Sequence, residues 1–155
     1  MKKIMFICTG NVCRSPMAKY YFNKVIETKK LQDKYIGTSC GIYAVKGEQA
    51  TDNAIEAMKD YDVDMTSHKA TRIQDSQIMS CDLIITLTIY HKNVVVKMYP
   101  ELAEKVYTLK EYVNPKVEYK DIDDPWGLDI NTYKFCAKEI TENIDKMIEK
   151  LEEGK

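Results

Sequence analysis

The stretch "MFICTGNVCRSP", Met5 to Pro16, holds three kinds of local sequence in one short segment. An apolar run ends on Cys8. Thr9-Gly10-Asn11-Val12-Cys13 follows, and Arg14-Ser15-Pro16 then opens a helical pattern. Ser15 is a helix-capping residue type, and proline is favoured at the first helical position. The segment therefore predicts a buried strand, a loop from Cys8 to Arg14, and a helix from 15 to about 30. Gly10 is expected to allow a tight path that a Cβ would obstruct. A loop of this kind turns backbone N–H groups inward, and the helix adds free N–H groups and the positive end of its dipole. Together they make a cradle for an anion. Arg14 contributes a fork suited to two oxygens of that anion. Cys8, at the mouth of the strand inside a positive field, is favoured as a thiolate, the nucleophilic form.

Working outward, three more apolar runs read as strands: "YIGTSC" (35–40), "DLIITL" (82–87) and "KVYTL" (105–109), beside "KIMFI" (3–7). Helical patterns lie between them at 51–60 and 88–98. The clearest periodicity joins Tyr133, Cys136, Ala137, Ile140, Ile144, Met147, Ile148 and Leu151. Strand alternating with helix predicts an α/β fold, with a four-stranded parallel sheet flanked by helices on both faces. Sites in such sheets lie beyond the carboxyl ends of the strands, where Cys8 stands. The 155 residues predict a single domain spanning 1–155.

Composition narrows the partners. A net charge of −1, from 23 basic and 24 acidic residues, predicts no general attraction to nucleic acid or to an anionic membrane. No window reaches the roughly 18 apolar residues of a membrane span, and the short apolar start lacks a signal-peptide cleavage pattern. Five scattered cysteines make no disulfide framework, so the expected location is the cytoplasm. An NTP-binding loop is excluded, because G-x4-G-K-[ST] is absent. No metal or other cofactor is expected: Cys8 and Cys13 are only two thiols, and neither His68 nor His91 stands at ligand spacing.

"CTGNVCRSPMA" resembles the low-molecular-weight protein tyrosine phosphatase family, whose bacterial branch also contains protein arginine phosphatases. "DDPWG" (123–127) is similar to the family's late Asp-Pro signature, and "GIYAVKGEQATDNA", "SHKATRI" and "LTIYHK" extend the likeness over most of the chain. The resemblance implies a protein-tyrosine-phosphatase that needs no cofactor. Cys8 attacks phosphorus and carries a cysteinyl-phosphate. Thr9, Gly10, Asn11, Val12, Cys13 and Arg14 bind the phosphate or another oxyanion, and Asp124 protonates the leaving oxygen. Asp124, among the crowded Asp121, Asp123 and Asp124, is the one that precedes a proline and is thereby biased to extended backbone.

Supporting roles follow from the same likeness. Asn11 tolerates a left-handed backbone and bonds the loop to itself. Ser15 caps the helix and donates to Cys8, and His68 ties the loop to its neighbours. Cys13 is the expected disulfide partner of an oxidised Cys8. Cys40, Cys81 and Cys136 fit buried apolar positions. Val12, Tyr43 and Trp126 are expected as substrate walls, with the partner a phosphorylated protein. Val12 bears on specificity: tyrosine-specific relatives have an aliphatic residue there and arginine-specific relatives a threonine. The alternatives are protein arginine phosphatase, arsenate reductase on the same scaffold through a relay of further cysteines, and a phosphoprotein-binding module without catalysis.

Overall fold

The computed structural model describes residues 1–154. Four strands, β1 (Lys2–Cys8), β2 (Tyr35–Gly41), β3 (Leu83–Thr86) and β4 (Val106–Thr108), form one parallel sheet in the order β2-β1-β3-β4. Six α-helices accompany them: α1 (Arg14–Thr28), α2 (Asp52–Lys59), α3 (Asp75–Met79), α4 (Ile89–Met98), α5 (Leu109–Val113) and α6 (Ile130–Glu153), with a 3-10 turn at Pro100–Lys105. The predicted strands and the four longer helices are present. The short α3 and α5 were not foreseen, because five residues are too few to show a helical period.

Alternation along β1 builds two cores. Ile4, Phe6 and Cys8 join α1, α2, α5 and α6 on one face, whereas Met5 and Ile7 join Ile78, Val95, Tyr99 and Leu102 on the other. Burial on both faces is why β1 reads as an unbroken apolar run. The ring of Phe22 on α1 packs against Phe6 at 5.6 Å between centroids. From β1 the chain crosses through α1 to β2 on one side, and β3 later pairs on the other. The carboxyl end of β1 is therefore the point where strand order reverses, the usual place for a ligand crevice.

Candidate active site

The loop after β1 wraps an interior of N–H groups because its carbonyls are held outside. The Cys8 carbonyl accepts from the Ile42 N–H at 3.0 Å, Thr9 from Tyr43 at 2.9 Å, and Val12 from Thr51 at 3.0 Å. The Asn11 carbonyl accepts from His68 Nε2 at 2.7 Å, which places the ring proton on that nitrogen. Among the described residues, the N–H groups of Thr9 through Cys13 have no acceptor. Helix α1 begins at Arg14, one residue before the predicted start, and Cys13 at its N-cap makes no side-chain cap bond. Ser15 is thus inside the helix and does not cap it. The first-turn N–H groups are left toward the loop interior, which is the arrangement an anion requires.

Asn11, not Gly10, takes the unusual backbone conformation, at φ 56°. A Cβ on Gly10 would meet only Val12 at 3.6 Å, an ordinary contact, so the expected obstruction there is absent. The glycine whose replacement would press on the loop backbone is Gly41 at the end of β2. A Cβ there would stand 2.6 Å from the Thr9 carbonyl oxygen and 2.8 Å from the Asn11 nitrogen. Sequence reasoning missed it because the contact crosses between strands. The Asn11 side chain is fully buried and satisfied on both ends. Its Nδ2 donates to Ser15 Oγ at 2.8 Å and to Ser39 Oγ at 3.0 Å, and its Oδ1 accepts from the Thr71 N–H at 2.9 Å. Ser15 Oγ, accepting from Asn11, lies 2.9 Å from Cys8 Sγ and 3.4 Å from the Cys40 carbonyl, so its hydrogen is available to the sulfur.

Arg14 is 4% exposed and points back over the loop. Its Nη1 donates to the Ile122 carbonyl at 2.8 Å, and its Nη2 lies 3.5 Å from Asp124 Oδ2. Ile122 in turn donates its N–H to the Leu87 carbonyl at 2.8 Å, which moors the late Asp-Pro segment to the end of β3. The three crowded aspartates separate. Asp121 accepts from the Ile89 N–H at 2.8 Å, Asp123 accepts from the Tyr119 hydroxyl, and Asp124 accepts from the Trp126 N–H at 3.1 Å while facing Arg14.

A cavity of about 280 Å³ is lined by Cys8, Val12, Arg14, Asp124, Trp126 and Glu48, with Thr9, Gly10 and Cys13 completing it. Trp126 is 66% exposed, a wall rather than a core residue. Tyr43, expected as the opposite wall, is not among the lining residues. Its hydroxyl lies 3.4 Å from that of Tyr90, and Glu48 lines the cavity instead. No side-chain partner engages the Glu48 carboxylate among the described residues.

Two histidines sit behind the loop. His68 is buried, with burial the main force holding its pKa down. His91 bridges Thr9 Oγ1 and Thr88 Oγ1, each at 2.9 Å. Burial, with Arg14 nearby, pushes its pKa down to about 3. Sequence reasoning weighed His91 only as a metal ligand, and no local signal marks its contact with Thr9. The Cys13 thiol lies 3.4 Å from both Thr51 Oγ1 and the Tyr133 hydroxyl, and burial pushes its pKa up. Cys40, Cys81 and Cys136 are buried, and Cys81 lies in the core across the sheet from Cys8. Among the described residues, no group of three or more His, Cys, Asp or Glu is placed to hold a metal ion, and no helix is long and apolar enough to cross a membrane.

The family model described as low molecular weight phosphotyrosine protein phosphatase matches residues 3–155. A protein-arginine-phosphatase of Bacillus subtilis is 32% identical over 98% of this chain and 98% of its own. A low molecular weight protein-tyrosine-phosphatase of Staphylococcus haemolyticus is 34% identical over 94% of this chain and 96% of its own. The crystal structure of a low molecular weight protein tyrosine phosphatase from T. tengcongensis superposes with a TM-score of 0.88 at 37% identity, covering 97% of this chain and 99% of that one.

Proposed function

The chain belongs to the low-molecular-weight phosphotyrosine protein phosphatase family, and from that membership we propose that it removes phosphate from phosphotyrosine in proteins, with Cys8 as nucleophile. The observation that carries this is one cavity bringing Cys8, Arg14 and Asp124 together beneath a loop of unpaired N–H groups. In the first step the Cys8 thiolate attacks phosphorus in line. The P–O bond to the phenol breaks, and Asp124 gives its proton to the leaving oxygen, whose conjugate acid has a pKa near 10. The loop N–H groups and Arg14 hold the three equatorial oxygens, where the ordered guanidinium supplies charge without reorganising. In the second step the Asp124 carboxylate takes a proton from water as that water attacks phosphorus. The S–P bond breaks, phosphate leaves, and the Ser15 hydroxyl donates to the departing thiolate. Asn11 and His68 act as positioning residues for the loop. Cys13 serves as the reserve thiol that captures an oxidised Cys8 as a disulfide. The working compartment in this proposal is the cytoplasm.

Val12 and Trp126 favour an aromatic substrate, since both present apolar surface to the cavity. Glu48 favours the second reading, protein arginine phosphatase, because a free carboxylate on the wall suits a guanidinium. Arsenate reduction has less support: Cys81 faces the opposite core from Cys8, so the cysteines do not form a relay. The deciding measurement is kcat/KM on matched peptides bearing phosphotyrosine or phosphoarginine. Wild type is expected to prefer phosphotyrosine. Val12→Thr should move the ratio toward phosphoarginine, within the roughly 10–200-fold that one small group can discriminate, and Glu48→Gln should move it the other way. A wild type that prefers phosphoarginine would reverse the assignment.

A further inference from the structure

A second cavity, of about 350 Å³, shares no lining residue with the Cys8 cavity. It runs along the outer edge of β2, against the segment that carries Thr71, Gln77 and Ser80, and its lining includes Lys3 and Lys19 but no carboxylate. Three observations converge on it.

The first is a gap in the edge. At Gly37 and Gly41 the outward-facing backbone groups of β2 are provided for. Gly37 donates to Asn23 Oδ1 at 2.8 Å and accepts from Asn23 Nδ2 at 3.0 Å, and Gly41 donates to Thr71 at 2.9 Å and accepts from Ile73 at 3.0 Å. Ser39, between them and only 6% exposed, has the same outward direction. Neither its N–H nor its C=O has a partner among the described residues. The second is an orphan charge. Lys19 is half-buried, has no carboxylate partner among the described residues, and has its Nζ 5.1 Å from the Tyr20 ring centroid. Burial alone pushes its pKa down, with no opposing charge to restore it. The third is connection. Two lining residues, Ser39 and Thr71, are the hydrogen-bond partners of the Asn11 side chain, which also holds Ser15 against Cys8.

From these we infer that the groove between β2 and the Thr71–Ser80 segment is a binding site for a small phosphate-type oxyanion, held by Lys19, Lys3 and the Ser39 N–H. Oxyanion oxygens accept from the ammonium groups and the amide, and a hydroxyl of a hydrogen phosphate donates to the Ser39 carbonyl. Thr38 adds a hydroxyl on the same wall, whereas Ser80 Oγ donates to the Gln77 carbonyl at 2.7 Å and accepts from Lys3 Nζ at 3.4 Å, which holds Lys3 at the groove. The volume leaves room for the remainder of a phosphorylated small molecule. Because the Asn11 partners lie in the groove wall, an occupant there changes the affinity of the catalytic loop, and the loop changes that of the groove by the same factor. This coupling rests on the proposed phosphate-binding role of the loop; the binding itself does not.

The test follows backbone amides by NMR in Cys8→Ser protein, which cannot turn over, during titration with inorganic phosphate and, separately, glycerol 2-phosphate. Ser39, Thr71 and Ser80 are expected to follow an isotherm distinct from that of Thr9 through Ser15. Lys19→Gln should weaken the Ser39 isotherm at least 10-fold while keeping loop binding, and should remove a roughly 5-fold or greater dependence of loop affinity on groove occupancy. The tighter of the two probes identifies the source of the phosphate. Two results would overturn the site. One is a single isotherm shared by all these amides in both proteins. The other is a Lys19→Gln protein with altered kcat/KM for p-nitrophenyl phosphate in anion-free buffer, which would assign Lys19 to the loop's own structure. Loss of loop binding with the Ser39 isotherm intact would strike the proposed catalytic function and spare the groove.

Discussion

Thr9 Oγ1 and His91 Nε2 lie 2.9 Å apart, tying the loop after β1 to the first turn of α4 across 82 positions of sequence. The other ring nitrogen faces Thr88 Oγ1 at 2.9 Å, and that oxygen also accepts from the His91 N–H at 3.1 Å. A neutral ring can donate from one nitrogen and accept at the other, and burial beside Arg14 keeps it neutral.

A pH dependence of stability follows. Burial holds the folded His91 pKa near 3, against 6.5 for the ordinary group. Between these values the unfolded chain binds a proton that the folded chain refuses. The stabilisation is complete above pH 6.5 and is lost progressively as pH falls toward 3. At pH 5 the loss is about 2 kcal/mol relative to neutral pH, and His68, also depressed by burial, acts with the same sign. Urea unfolding at pH 5 and 7.5 measures it. His91→Gln should flatten the dependence, and an unchanged slope in that variant would remove His91 as its source.

Gly41→Ala should damage the loop from outside it. The new Cβ would be 2.6 Å from the Thr9 carbonyl, a backbone atom that cannot swing away. The expected cost is about 1–3 kcal/mol of stability, with phosphate affinity reduced at least 10-fold. Gly10→Ala, which meets Val12 only at 3.6 Å, should be the milder change by isothermal titration with phosphate. The reverse order would mean that the loop's N–H groups do not depend on its contact with β2.

Asp124→Asn should slow a phenyl phosphate strongly, by about 10²–10⁴-fold, and a substrate with a good leaving group much less. Asp123→Asn should do little, since that carboxylate is bonded to Tyr119 and not to Arg14. Steady-state kinetics with two leaving groups separates the pair. Equal losses for both substrates in Asp124→Asn would take the acid role from it.

Peroxide should inactivate the wild type reversibly through a Cys8–Cys13 disulfide, and a dithiol should restore it. Cys13→Ser should recover far less, as Cys8 proceeds to sulfinic acid. Mass spectrometry of the oxidised protein reads both states. Equal recovery in the variant would count against Cys13. Because burial raises the Cys13 pKa, bridge formation should accelerate with rising pH.

Sequence alone was enough for the sheet and for the strand-loop-helix that carries Cys8 and Arg14. Apolar runs and helical periods are local, and a cysteine separated from an arginine by five residues is a local spacing. What only the tertiary structure decided lies between segments distant in sequence. Gly41 seats the loop, Asn11 joins Ser15 to Ser39 and Thr71, His91 holds Thr9, and Ile122 aims Arg14. The same holds for the cavity wall, where Glu48 stands and Tyr43 does not. Ser15 shows the limit within a few residues. Its type announces a cap, but the loop carbonyls are held outward by β2 and its following segment, the helix begins one residue earlier, and the hydroxyl turns to the sulfur. A residue's type sets what it can bond to; the packing of distant segments sets which of those partners it meets.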